Sequence, residues 1–163
     1  GDRRTGVVSL FEGPAPELRM FDCPDDEASA AAAWLRQCFD DGIAPDQVAL
    51  LVRSEDELAR AEDVARRVGC PTASLAQGAA DGAVPVGCMH DAKGAEFRAV
   101  MILACDEDVI PREARLLEAR DEAMIEEIMA TERHLLYVAA TRARDRLWIS
   151  AADGVSEFLE DLL

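Results

Sequence analysis

An α/β fold, with a mainly parallel sheet flanked by helices, is what this sequence predicts, and three observations predict it. Segments of strand and helix character alternate along nearly the whole chain. One of them, Val48-Ala49-Leu50-Leu51-Val52, is apolar at every position, as expected of a strand buried on both faces. Turn and cap residues punctuate the alternation, so strands are joined through helices; such crossovers are right-handed and give parallel pairing.

Val7 to Phe11 reads as a short strand stopped by Gly13-Pro14, and Leu18 to Cys23 as a second. A helix is predicted from Glu27 to Asp40, with Ala31, Trp34, Leu35, Cys38 and Phe39 on one face. Asp25 or Asp26 is expected to cap it, and Gly42 and Pro45 to end it. After the strand Val48–Val52, Ser54-Glu55-Asp56-Glu57 has the capping-box pattern. Leu58, Ala61, Ala65 and Val68 line the helix that follows, and Gly69 terminates it. Gly78 to Gly82 is a loop of small residues. Val84 to Met89 and Val100 to Ala104 are predicted strands. A long helical stretch covers Glu118 to Ala140, with a break expected near Thr131. A strand over Arg146 to Ser150 and a short helix over Glu157 to Leu162 complete the pattern.

The 163 residues suit one domain. No apolar run is long enough for a membrane span, and no signal peptide is recognisable. Without an initiator Met, the chain is expected to be part of a longer protein. With 33 acidic and 17 basic side chains the formal net charge is −16, which repels phosphate backbones and argues against a self-sufficient nucleic-acid-binding module. It leaves room for a few local contacts beside a more basic partner. Five cysteines without a C-x-x-C spacing read as buried thiols in a reducing cytoplasm, and the scarcity of histidine argues against zinc.

Two clusters carry polar chemistry. Cys88-Met89-His90-Asp91-Ala92-Lys93-Gly94-Ala95-Glu96-Phe97 follows a predicted strand, and carboxyl ends of parallel strands are where open α/β sheets bind ligands. Lys93 can donate to phosphate, Gly94 permits close backbone approach, and Glu96 can accept from a hydroxyl. Taken alone, such charges more often form a solvated loop. The second cluster, Glu132 to Leu147, brings four arginines between Arg133 and Arg146 to an apolar helix and the last strand. Arginine forks match phosphate oxygens, although pairing with this chain's many carboxylates is the simpler expectation for any one of them.

Together the clusters resemble motifs V and VI of the UvrD/Rep-like superfamily 1 DNA helicases. The resemblance rests on His90, Lys93-Gly94, Glu96-Phe97, the strand Ala99 to Ala104, Pro111, Glu132-Arg133, Leu135 to Ala139 and Thr141-Arg142-Ala143. These fit the patterns T-x-H-x-x-K-G-L-E-F and E-R-R-L-L-Y-V-A-x-T-R-A. Motif V lies near 86–97, motif VI near 132–146, and Val48 to Ser54 resembles motif IV. Residues 1–163 are then expected to form a single RecA-like, three-layer domain, the second of the two motor domains. The chain departs from the pattern at Val52, where the family has an adenine-stacking Tyr, at Cys88 for Thr and at Ala95 for Leu. Only about 37 positions separate Arg53 from His90, so the family's large accessory insert is absent.

The resemblance implies that ATP and Mg²⁺ are bound mainly by a first RecA-like domain. No G-x-x-x-x-G-K-[ST] occurs in this chain, which alone is expected not to hydrolyse ATP. Arg142 is then an arginine finger and Arg53 a second γ-phosphate contact, an effect of roughly 10³–10⁵ in rate. Glu96 and Gly94 serve the nucleotide, and His90 and Lys93 touch single-stranded DNA during 3′ to 5′ translocation. Arg53 and Arg142 are expected to converge beside the loop that holds Glu96. The partners implied are the first motor domain and single-stranded DNA, with no membrane, and the isolated domain is expected to be monomeric. Asp26-Glu27-Ala28 and Asp121-Glu122-Ala123 mimic an acidic box but are expected on helix surfaces. Two other functions are open: a helicase-like remnant acting as a protein-interaction module, and a phosphate- or metal-binding domain using Asp106-Glu107-Asp108.

Overall fold

A computed structural model of the chain describes residues 15–160. The strand expected over Val7 to Phe11 lies outside them. Six parallel strands are ordered β1-β6-β5-β2-β4-β3: β1 Glu17–Phe21, β2 Val48–Val52, β3 Thr72–Ser74, β4 Val84–Cys88, β5 Phe97–Ile102 and β6 Ala143–Ala152. Helices α1 Pro24–Asp40 and α2 Leu58–Val68 lie on one face. Helix α4 Glu122–Ala140 lies on the other, with short α3 Glu113–Leu117 before it and α5 Glu157–Glu160 after β6.

Alternation along the central strands explains the three layers. Val48, Leu50 and Val52 point into the core beneath α1 and α2, with Ala99, Met101, Leu103 and Trp148. Ala49 and Leu51 point the other way, with Val100, Ile102, Leu147 and Ile149, toward Leu136 and Ala139 of α4. A strand of uniformly apolar residues is therefore needed here, because both of its faces are covered.

The expected caps are realised with one exception. Ser54 and Glu57 form the reciprocal capping box, at a 3-10 turn leading into α2. Gly69 ends α2 in the left-handed region at φ 77°. At α1, however, Cys23 is the N-cap and offers no side-chain bond; Asp25 and Asp26 occupy the first turn, where the helix dipole favours negative charge. The long helical stretch is not broken at Thr131, whose hydroxyl donates to the Glu127 carbonyl within a continuous α4. Its break falls earlier, at Asp121, whose side chain accepts from Met124 N as the N-cap of α4.

Candidate functional site

The motif V segment does more than cap a strand. Val52 pairs with Cys88 at the carboxyl end of β4, whereas Phe97 pairs with Ala143 at the amino end of β5. In the register of β2, Cys88 stands level with Leu103, so residues 88 to 97 descend about 20 Å along the strand axis at about 3.3 Å per residue. A 3-10 turn over Met89–Ala92 begins the descent, with Met89 and Ala92 buried against the α4 face of the sheet. His90 therefore sits near the carboxyl edge and Glu96 at the amino edge. The sequence placed the whole cluster at the carboxyl edge; a crossover this short has to traverse the sheet instead.

At the amino edge the segment meets the end of α4. Arg142 Nη1 donates to the Ala95 carbonyl at 3.3 Å, and Phe97 N donates to the Arg142 carbonyl at 2.9 Å. Arg142 Nε donates to Val138 O and Nη2 to Thr141 Oγ1. The guanidinium is half-buried, and its hydrogen bonds among the described residues all go to neutral oxygens. Its charge is thus left available to an anion. Glu96, Lys93 and Gly94 are exposed beside it. Gly94 adopts φ 81°, a backbone that side chains rarely adopt, and a Cβ there would meet nothing within 4 Å. This loop can approach a ligand through its backbone.

Arg53 is placed differently. It follows β2 at the carboxyl edge, and its Nε and Nη2 donate to Glu132 Oε1 and Oε2 at 2.9 and 2.6 Å. Both side chains are buried, 8% and 1% exposed. Glu132 Oε1 also accepts from Arg112 N at 2.6 Å. Burial alone would push the Glu132 carboxyl up, but the bonds from Arg53 and Arg112 N and the charges of Arg53 and Arg115 bring it below its ordinary value. The expected convergence of Arg53 and Arg142 is not found. They lie at opposite edges of the sheet, and about ten helical residues, or about 15 Å, separate Glu132 from Arg142. Arg53 holds the motif VI helix instead of facing a ligand directly. Val52, where a stacking Tyr was expected, is fully buried in the core.

Sequence reasoning also missed a buried charge network at the carboxyl edge. Glu27, expected on a helix surface, is 2% exposed. Its Oε1 accepts from Arg60 Nη2 at 2.6 Å, and its Oε2 from Ser150 Oγ and from Ala104 N, a residue at φ 59°. Arg60 Nη1 donates to Asp106 Oδ2, whose partner oxygen accepts from Ala152 N. Asp106 is therefore committed internally, and only Glu107 and Asp108 of that triplet are exposed, which argues against the metal-binding triplet considered above. Of the motif VI arginines, Arg146 pairs with Asp41 and Arg133 lies over the Phe158 ring. No signal in the sequence pairs these residues, which are far apart in the chain.

The UvrD-like helicase C-terminal domain family matches residues 62–154, more than half of the chain and including both clusters. The chain belongs to that family. Over 64 residues it is 45% identical to a putative ATP-dependent DNA helicase, YjcD, of Bacillus subtilis, and 41% identical to the ATP-dependent DNA helicase PcrA of Staphylococcus epidermidis. These segments cover 38% and 39% of this chain but 8% of either relative, so the matched region is a small part of those helicases. The C-terminal domain of a possible DNA helicase from Lactobacillus plantarum WCFS1 has the same fold, with a TM-score of 0.72 at 17% identity, over 99% of this chain and 91% of that one. The RecA-like architecture expected from the motifs is the one observed. Among the described residues no helix is long and apolar enough to cross a membrane.

Proposed function

We propose that this member of the UvrD-like C-terminal family is the second motor domain of an ATP-dependent DNA helicase, in which Arg142 faces the nucleotide held by a first motor domain. The observation that carries this reading is the half-buried Arg142 guanidinium, held against the Ala95 carbonyl and bonded to neutral oxygens, with exposed Glu96 beside it. Unpaired by carboxylate among the described residues of a chain this acidic, it keeps its charge for a phosphate. These residues fit the phosphate and ribose of a nucleotide, whose γ-phosphoryl group supplies the reacting bond when it is bound.

Each residue has a role in this reading. Arg142 neutralises charge developing on the transferred phosphoryl group, an effect of roughly 10³–10⁵ in rate for an arginine finger. Glu96 accepts from the ribose, and Gly94 lets the backbone approach. His90 and Lys93, both exposed, contact the backbone of single-stranded DNA. The segment 88–97, spanning the sheet from edge to edge, links that track to Glu96 and Arg142. Arg53 acts only by fixing Glu132 and hence α4. Mg²⁺ belongs to the first motor domain. Directional 3′ to 5′ movement follows from the family resemblance of the motifs.

The test is Arg142→Ala in the full-length parent. DNA-stimulated ATP turnover falls by about three orders of magnitude or more while nucleotide binding persists. Unchanged turnover overturns the assignment; a parent that binds no nucleotide even with Arg142 present favours the interaction module instead.

A further inference from the structure

We propose that Cys88, His90 and Asp91 form a three-ligand site for a thiophilic divalent cation of the Zn²⁺ class. Cys88 Sγ, an imidazole nitrogen of His90 and a carboxylate oxygen of Asp91 lie within 4.8 Å of one another. The inference stands on this geometry and does not require the helicase reading, in which the same His90 contacts DNA, so ion and DNA compete for that side chain. It also departs from the expectation of no zinc site, which rested on the scarcity of histidine and overlooked a mixed set on one turn.

The fold orients two of the three ligands before any ion arrives. Cys88 is the N-cap of the 3-10 turn Met89–Ala92, so its Sγ accepts from Asp91 N while Asp91 Oδ2 accepts from Cys88 N at 3.1 Å. Fixing Oδ2 leaves Oδ1 turned toward His90 Nε2, 3.4 Å away. Ligand atoms around a tetrahedral ion, at about 2.0–2.3 Å from it, stand roughly 3.5 Å apart. Closing the widest pair takes about 1 Å of movement, and His90, with its side chain 62% exposed, is free to make it.

Polarity favours a cation. Asp91, Glu55 and Glu57 place negative charge around Cys88, with Arg53 opposing. Cys88 is a soft donor and is buried, while His90 opens to solvent, so water completes the coordination. On binding, the Cys88 S–H proton leaves to solvent and the sulfur lone pair forms the bond to the ion. No oxidation is involved.

Co²⁺ is the probe, titrated into the reduced 163-residue chain with a non-chelating reductant present. A thiolate-to-cobalt charge-transfer band is expected, saturating at one equivalent and abolished by Zn²⁺. Cys88→Ser removes the band; Ser is itself a good N-cap, so circular dichroism and the unfolding midpoint stay near those of the parent. His90→Ala, at an exposed position, weakens Co²⁺ binding by about 10-fold or more. The proposal is overturned by a chain that gives no band, by a band that survives Cys88→Ser at another cysteine, or by His90→Ala binding Co²⁺ as tightly as the parent.

Discussion

Replacing Glu132 by alanine tests how the motif VI helix is held. The carboxylate accepts from Arg53 twice and from Arg112 N, and the substitution leaves a guanidinium that is 8% exposed without a counter-charge. Removing one partner of a buried pair costs about 3–5 kcal/mol. At about 2–4 °C per kcal/mol for a chain of this size, the thermal midpoint falls by about 6–20 °C. Urea unfolding of the 163-residue chain, followed by circular dichroism, measures the free-energy loss, and a thermal scan measures the midpoint. The double variant Arg53→Met with Glu132→Met recovers most of the loss, because two apolar side chains of similar volume need no counter-charge. A drop below about 1 kcal/mol in the single variant, typical of solvent-exposed pairs, refutes the buried-tie argument. The pH dependence carries the same information. Because the folded carboxyl sits below the ordinary glutamate value of about 4.3, its contribution is fully present above that value. It is lost as pH falls through the depressed folded value. Glu132→Gln therefore flattens the acid limb of the stability profile.

Two further outcomes follow from local geometry. Gly69→Ala, at φ 77° with nothing within 4 Å of the new Cβ, costs about 1–2 kcal/mol from backbone conformation alone, measured by chemical unfolding; a neutral substitution would show that the α2 cap relaxes. Asp41 accepts from Arg146 and Gln37, and these bonds, Arg146 first, hold its carboxyl below the usual aspartate range. Arg146→Ala moves the Asp41 titration, followed by carboxyl NMR shifts, upward toward the ordinary value; an unchanged titration denies the pairing.

Much of the fold was legible in the residues. Uniformly apolar Val48–Val52 announced a central strand, and Ser54-x-x-Glu57 and Gly69 marked the limits of α2, because those signals act within a few residues. Strand β3 was missed: three residues at the sheet edge, partly exposed, carry too little pattern to register. The true break before α4 was hidden because Asp121 as N-cap sits inside a run that is helical in composition on both sides. At the site, the juxtaposition of the Lys93 to Glu96 loop with Arg142 followed from motif order, but the traverse of residues 88–97 across the sheet did not.

By itself the sequence determined the three-layer α/β class, the chain order of the polar clusters and the local caps, all of which depend on period and on neighbours a turn away. Only the tertiary structure decided which charge meets which. Arg53 finds Glu132 across 79 positions, and Glu27 reaches Ser150 across 123. The physical reason is that strand order and crossover length, rather than spacing in the chain, set those encounters. A charge removed from water takes the partner that the sheet brings to it.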